Sequence, residues 1–325
     1  MYPRPTVIRS LARRRLRRLT PFLVAALACA CERGTANDPA APGPTTKTSE
    51  TAPRKDAHAG ADKVELKTVP IVGNIYMLMG RGGNIGVSVG EDGVLIIDDQ
   101  FAPHADAIRA AIGRLGQGKL EFVLNTHHHG DHTGGNAIFG KEATIVAHEN
   151  LRKQLVTRKN PRESLPVITF DQSLRVHFNG EAIQAVHFPH GHTDNDSVYF
   201  FEGSNVVHMG DTFFNGRFPY VDLDSGGNPM QLLANVQAVL ARVGPETRII
   251  PGHGELARRA DLETYARMLE STIASVRAQL AANKSLDQIK AAGVASEWSS
   301  WGKGYITTER WLTILHTAMT KNPSS

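Results

Sequence analysis

The heptad Thr126-His127-His128-His129-Gly130-Asp131-His132 follows directly on an apolar, strand-like run ending at Asn125. Four potential metal ligands, His127, His129, Asp131 and His132, thus crowd onto one loop at the end of a strand bound for the interior. Such groups are costly to desolvate unless something satisfies them, and a metal ion does so. Alternation puts His127 and His129 on one side, able to reach one ion. Asp131 and His132 leave the following turn toward a second. The spacing is not that of a helix, where ligands recur four apart. Any fold for this chain has to deliver that loop to a place where metal and substrate can meet.

Around the loop, short β-branched runs recur between turn signals. They are Ile75 to Met79, Ile85 to Val89, Val94 to Ile97, Phe122 to Asn125 and Thr144 to Ala147, then Leu174 to Phe178, Ala182 to Phe188, Val198 to Phe201, Val206 to Met209 and Arg248 to Ile250. Gly90-Glu91-Asp92-Gly93 reads as a hairpin turn. Helical spacing marks Ala105 to Leu115, a stretch near Leu151, and Met230 to Val243. This order predicts an α/β chain of two mixed sheets covered by helices rather than one parallel sheet. The C-terminal part predicts three helices. Leu262, Tyr265, Leu269, Ile273, Val276 and Leu280 line the first, Ser285 and Gln288 cap a second that Gly293 ends, and Trp311, Leu312, Leu315 and Met319 face the last.

Net charge separates the start of the chain from its body. The 325 residues carry 36 basic and 32 acidic side chains, but seven arginines fall in the first twenty positions. Without them 29 basic side chains face 32 acidic ones, a net of −3, which argues against a nucleic-acid partner. The two cysteines, Cys29 and Cys31, close an apolar run from Phe22 to Ala30 that is too short to span a bilayer comfortably. An arginine-rich segment, a short apolar run and small residues before Cys31 resemble a bacterial lipoprotein signal, with Ala28 where leucine is usual three positions earlier. Export to the periplasm or outer membrane, with a lipid on Cys31 as the sole membrane attachment, is the expectation. Plain cleavage or a retained anchor are the alternatives. Residues 32–63, rich in Pro, Ala, Gly, Thr and Lys, read as a flexible tether.

The HxHxDH pattern resembles the signature of the metallo-β-lactamase superfamily, and matching motifs follow in order. His192 stands in Gly-His-Thr, Asp211 after Met-Gly, and His253 in Pro-Gly-His-Gly; Asp98 closes the strand Val94 to Ile97. The resemblance covers roughly Val64 to Arg258. It implies a four-layer αββα sandwich at 64–258, following a signal at 1–31 and the tether at 32–63. A helical extension at 259–325 is expected to pack on that domain. It also implies a ligand set: His127, His129 and His192 for one metal, Asp131, His132 and His253 for the other, with Asp211 shared. Nitrogen and oxygen ligands without thiolate suit two zinc ions best, iron or manganese being alternatives.

In the implied mechanism a metal-bridging hydroxide attacks an acyl carbonyl while Asp131 orients it and shuttles its proton. Asp98 is expected to bond a ligand histidine or the motif backbone, and Asp99 to be an ordinary strand-end residue. His128 is expected to point away from the ligands. His190, Phe214, Phe218 and Tyr220 are candidates for the cleft wall, with core packing as the other reading of the aromatics. Gly80-Arg81-Gly82-Gly83 reads as a flexible hairpin tip over the site. The resemblance implies a small-molecule substrate, a β-lactam, lactone, ester or thioester. Asp211 where several lactamases carry cysteine disfavours that subclass. The full ligand set resembles that of hydroxyacylglutathione hydrolases, which makes such a thioesterase the alternative, while export and a lack of evident basic residues in the C-terminal helices argue against a glutathione thioester. Asn195 departs from an expected glycine and is read as altering a turn. A metal-binding protein without catalysis is the reading from another class.

Overall fold

Alternating burial sorts the strands into layers, and it does so most clearly in the fourth. Leu95 and Ile97 face one apolar cluster and Val94 and Ile96 another, all four fully buried, as expected of a strand covered on both faces. The computed structural model describes residues 65–321. The signal, Cys31 and the whole tether expected before them lie outside the described residues. None of the described helices is long and apolar enough to cross a membrane.

The first sheet runs β1 (Lys67–Val72), β2 (Ile75–Met79), β3 (Ile85–Gly90), β4 (Gly93–Ile97), β5 (Leu120–Leu124), β6 (Thr144–His148) and β7 (Ile168–Phe170) in spatial order. β1 to β4 pair antiparallel and β4 to β7 parallel. The second sheet runs β8 (Ser173–Phe178), β9 (Glu181–His187), β10 (Ser197–Phe201), β11 (Val206–His208), β12 (Arg248–Ile250) and β13 (Ala257–Arg258). Only β11 and β12 pair parallel in it. Gly90 faces Gly93 across the hairpin, so Glu91 and Asp92 form the two-residue turn the glycines predict.

Between the sheets lie Ile75, Met77, Leu95, Ile97, Leu124 and Val146 from one and Ile183, Tyr199, Phe201, Val206 and Ile250 from the other. Outside the first sheet, α1 (Ala105–Leu115) buries Ile108, Ala111 and Ile112. Two single-turn helices, α2 (Gly130–Thr133) and α3 (Asn136–Phe139), and α4 (Glu149–Thr157) follow in chain order. The outer face of the second sheet, with Val198, Phe200, Val207 and Ile249, packs under α5 (Pro229–Leu240), α6 (Arg259–Ala281), α7 (Leu286–Ala292) and α8 (Thr308–Lys321) in one continuous core. The expected αββα sandwich with a helical C-terminal region is what forms. Ser285 and Gln288 cap α7 reciprocally and Gly293 ends it at φ +68°.

Two local expectations need correction. Asp131 and His132 do sit on a helix, the single turn α2, because adjacent residues on one turn splay far enough apart to approach a common centre from two directions. The hairpin tip at residues 80–83 is not free. Gly83 N donates to Asp131 O at 3.0 Å, and a Cβ on Gly83 would fall inside the His132 ring, so glycine serves close packing here.

Candidate metal centre

Several chain segments end at the same rim of the sandwich. They are the tip between β2 and β3, the ends of β4 and β5, the loop from β9 to β10, and the ends of β11 and β12. His127 to His132 leave β5, His192 rides the loop before β10, Asp211 follows β11 and His253 follows β12. All seven candidate ligands converge there.

Asp211 stands at the centre, and its two oxygens face different partners. Oδ2 lies 3.4 Å from His192 Nε2 and 3.8 Å from His127 Nε2. Oδ1 lies 3.1 Å from His132 Nε2 and 3.4 Å from His253 Nε2. On the first side His129 Nδ1 approaches His127 Nε2 at 3.1 Å and His192 Nε2 at 2.8 Å. On the second, Asp131 Oδ2 lies 3.2 Å from His253 Nε2 and 3.7 Å from His132 Nε2. Two ligand nests thus share one carboxylate.

The outer nitrogens of the imidazoles decide what the inner ones offer. His129 Nε2 meets Asp222 Oδ2 at 3.0 Å, His132 Nδ1 meets Asp98 Oδ2 at 2.7 Å and His192 Nδ1 meets the Tyr220 carbonyl at 2.6 Å. A carboxylate or carbonyl only accepts, so each of these ring nitrogens carries its proton. Thr126 Oγ1 donates to Asp98 Oδ2, which leaves it to accept from His127 Nδ1 at 3.0 Å. The inner nitrogens of the neutral rings therefore present bare lone pairs to one another, an arrangement that repels until a cation stands among them. His132 Nε2 and Asp211 Oδ1, both buried and close, have no hydrogen-bond partner. The donor set fits divalent metal, and the outer contacts are those that hold metal-bound imidazoles in one tautomer.

The electrostatics agree. Burial, with His132 and His192 adding to it, pushes the His127 pKa well below the usual imidazole range, and burial chiefly takes His192 down to about 4. Burial opposes charge at Asp211 too, yet His253, His132 and His192 outweigh it and keep the carboxylate ionised. Asp131 is held at about 2 because His132 and His253 overcome its burial. On the second side burial is overcome in the other direction. Asp211 and Asp131 lift His253 to about 9, and Asp211, Asp131 and Asp98 raise His132. Without metal, protons take the cation's place.

Asp98 meets both parts of its expectation, bonding the His132 ring and, through Oδ1 at 2.8 Å, the Thr126 backbone. Asp99 is fully buried, one oxygen accepting from Gly135 N at 2.9 Å, so it is not the exposed strand-end residue expected. His128 points away, between Arg158 and Asn195. Asn195 does more than shape a turn: its Oδ1 accepts from His128 N at 3.0 Å and so ties the His192 loop to the histidine motif. His190 is exposed, its ring against Gly226 O at 3.1 Å. Phe218 is core, stacked on Trp311. Phe214 stacks on His253 at 5.3 Å, and Tyr220 lies 5.8 Å from His129, so these two wall the site.

Asp222 and Asp196 were missed in the sequence. Asp222, buried beside Ser225 and His129, is kept ionised because its hydrogen bonds to them outweigh burial. Asp196 accepts from His192 N at 2.7 Å and from Thr193 N and Oγ1, pinning the ligand loop. Neither stands in a motif, since a loop carboxylate declares its partner only once the chain has folded.

Residues 78–254 match the family model described as the metallo-beta-lactamase superfamily. A hydroxyacylglutathione hydrolase from Nitrosococcus oceani is 32% identical over 169 residues, which is 50% of this chain and 60% of that protein. The lactamase-like protein nscB of Arthroderma gypseum is 32% identical over 139 residues, 42% of this chain and 39% of its own length. The chain therefore spans less than two thirds of either relative. Among solved structures, the DIM-1 metallo-beta-lactamase superposes with a TM-score of 0.56 at 19% identity, over 64% of this chain and 99% of that one.

Proposed function

The chain belongs to the metallo-beta-lactamase superfamily, and from that premise we propose that it is a dinuclear hydrolase of acyl substrates: a β-lactam, lactone, ester or thioester. One observation carries the reading. Asp211 turns one oxygen toward His127 and His192 and the other toward His132 and His253, a geometry suited to holding two cations side by side. Zinc is the proposed metal, with iron or manganese as the competing assignments.

Bound there, two divalent cations would supply an activated water at neutral pH and positive charge where the acyl oxygen becomes negative. The protein does the remainder. Asp98, Asp222 and the Tyr220 carbonyl fix His132, His129 and His192 in the tautomer that aims a lone pair inward. Asp131, ionised and with 29% of its side chain exposed, is the group assigned to orient the attacking water and take its proton at Oδ2. Phe214 and Tyr220 shield the centre and give an acyl chain an apolar surface.

The test is a hydrolysis panel on zinc-loaded protein. It comprises a chromogenic cephalosporin, a γ-lactone, a 4-nitrophenyl ester, a hydroxyacylglutathione thioester and a phosphodiester. The thioester is included because a relative of that named activity is 32% identical. Cleavage of at least one acyl member, abolished by chelation and restored by zinc, is expected. A protein loaded with metal yet inert on the whole panel would favour a binding role without catalysis. Export with lipid on Cys31 is proposed alongside, from the arginine-rich start, the apolar run and the small residues before that cysteine. Mass spectrometry of the envelope fraction should find an acylated N-terminal Cys31. An unacylated N-terminus would contradict it.

A further inference from the structure

Arg310, on the first turn of α8, is exposed and holds its guanidinium over two tyrosines. Its Cζ lies 5.4 Å from the ring centre of Tyr220 and 4.6 Å from that of Tyr305. Among the described residues no carboxylate pairs with it, and no acceptor takes its side-chain N–H groups; only its backbone N–H is engaged, by Thr307 Oγ1. The Tyr220 ring in turn stands 5.8 Å from His129 and 5.9 Å from His192. Tyr305 is 77% exposed, a large aromatic left in solvent against Arg310. A charged group that two rings hold in place, with its hydrogen-bond donors open, has little further freedom to lose when it meets a ligand.

The geometry points to Arg310, with Tyr220 and Tyr305, as an anion subsite at the mouth of the metal centre, one that selects acyl substrates carrying a carboxylate remote from the bond that breaks. Tyr220 links the two places, its ring 5.4 Å from the guanidinium and 5.8 Å from His129, a separation that a short carbon chain bridges. A carboxylate would receive two parallel N–H bonds from the fork, and the tyrosine faces would flank the carbon chain. The subsite rests on the hydrolase reading for its meaning but on its own residues for its existence. It also supplies what the sequence of the C-terminal helices did not disclose, a basic side chain set over a ring that walls the centre.

A matched pair of esters tests it: 4-nitrophenyl hydrogen glutarate, which ends in a carboxylate, and 4-nitrophenyl pentanoate, which ends in a methyl group. The zinc-loaded protein is expected to prefer the glutarate in kcat/KM, and R310Q to lower that preference about tenfold, the scale of one charge-assisted hydrogen-bond pair near the surface. R310K should restore part of it, and the preference should weaken with added salt. Calorimetric titration with glutarate itself reads the subsite without turnover, and wild type should bind about tenfold more tightly than R310Q. Equal glutarate affinity in the two proteins, or an ester preference unchanged in R310Q, overturns the subsite. Arginine-dependent glutarate binding with neither ester cleaved would sustain the subsite and count against ester hydrolysis instead.

Discussion

Asp98 reaches three groups at once: the His132 ring at 2.7 Å, Thr126 Oγ1 at 2.7 Å and Thr126 N at 2.8 Å. It does so from a backbone at φ +65°, a conformation a non-glycine residue adopts only under constraint. Replacing it with asparagine would set an amide where the His132 N–H and the Thr126 hydroxyl both need an acceptor. D98N is therefore expected to weaken metal binding ten- to a hundredfold on the His132 side, as loss of such outer contacts commonly does. D222N should do the same on the His129 side. Chelator competition that finds both variants as tight as wild type would refute the roles given to these carboxylates. At Gly83 an alanine Cβ would enter the His132 ring, so G83A is expected to cost about 1–3 kcal/mol and to lose metal first from that side. Unchanged thermal midpoint and metal content would show that the hairpin tip yields. The seven candidate ligands were legible because each sits in a short motif. Asp222 was not, because its role is defined only by the distance to a histidine 93 positions away.

Among the elements, those with strong periodicity were readable and those that lean on neighbours were not. β2, β12 and α1 fall where the apolar pattern puts them. β1 carries Pro70 and half-exposed residues, β7 spans three residues at a sheet edge, and β13 spans two; pairing makes them strands rather than propensity. The Thr126 to His129 stretch is irregular and not a continuation of β5, yet His127 and His129 still share a side. α8 has a role its own sequence conceals. Trp311 is fully buried, stacks on Phe218 at 6.0 Å and donates to Thr272 Oγ1 at 3.1 Å. Phe218 N donates to the Trp301 carbonyl at 3.3 Å, so the C-terminal helices brace the loop that carries Tyr220 and Asp222. W311A is expected to destabilise by about 3–5 kcal/mol, read from urea unfolding. A loss under 1 kcal/mol would mean that α8 is an ornament on the sandwich and not part of its core.

At the scale of the molecule, two sheets place their strand ends at one rim, and the charge gathered there needs a counterpart. In the metal-free protein Asp211 and Asp131 overcome burial and lift His253 to about 9, against an ordinary 6.5. A raised imidazole pKa stabilises the fold fully below about pH 6.5, and that contribution is lost as pH rises through 9. A metal needs the same nitrogens without protons, so its affinity rises over the same window. The thermal midpoint of chelated protein should therefore fall between pH 6.5 and 9, and the gap between metal-loaded and chelated protein should widen. A gap that narrows would contradict this balance of protons and metal.

The central claim is that two cations flank Asp211, and a crystal structure of zinc-loaded protein with anomalous data at the zinc edge tests it most directly. Two peaks are expected, one among His127, His129 and His192 and one among Asp131, His132 and His253, with Asp211 touching both. A single peak, or peaks elsewhere on the molecule, would contradict it.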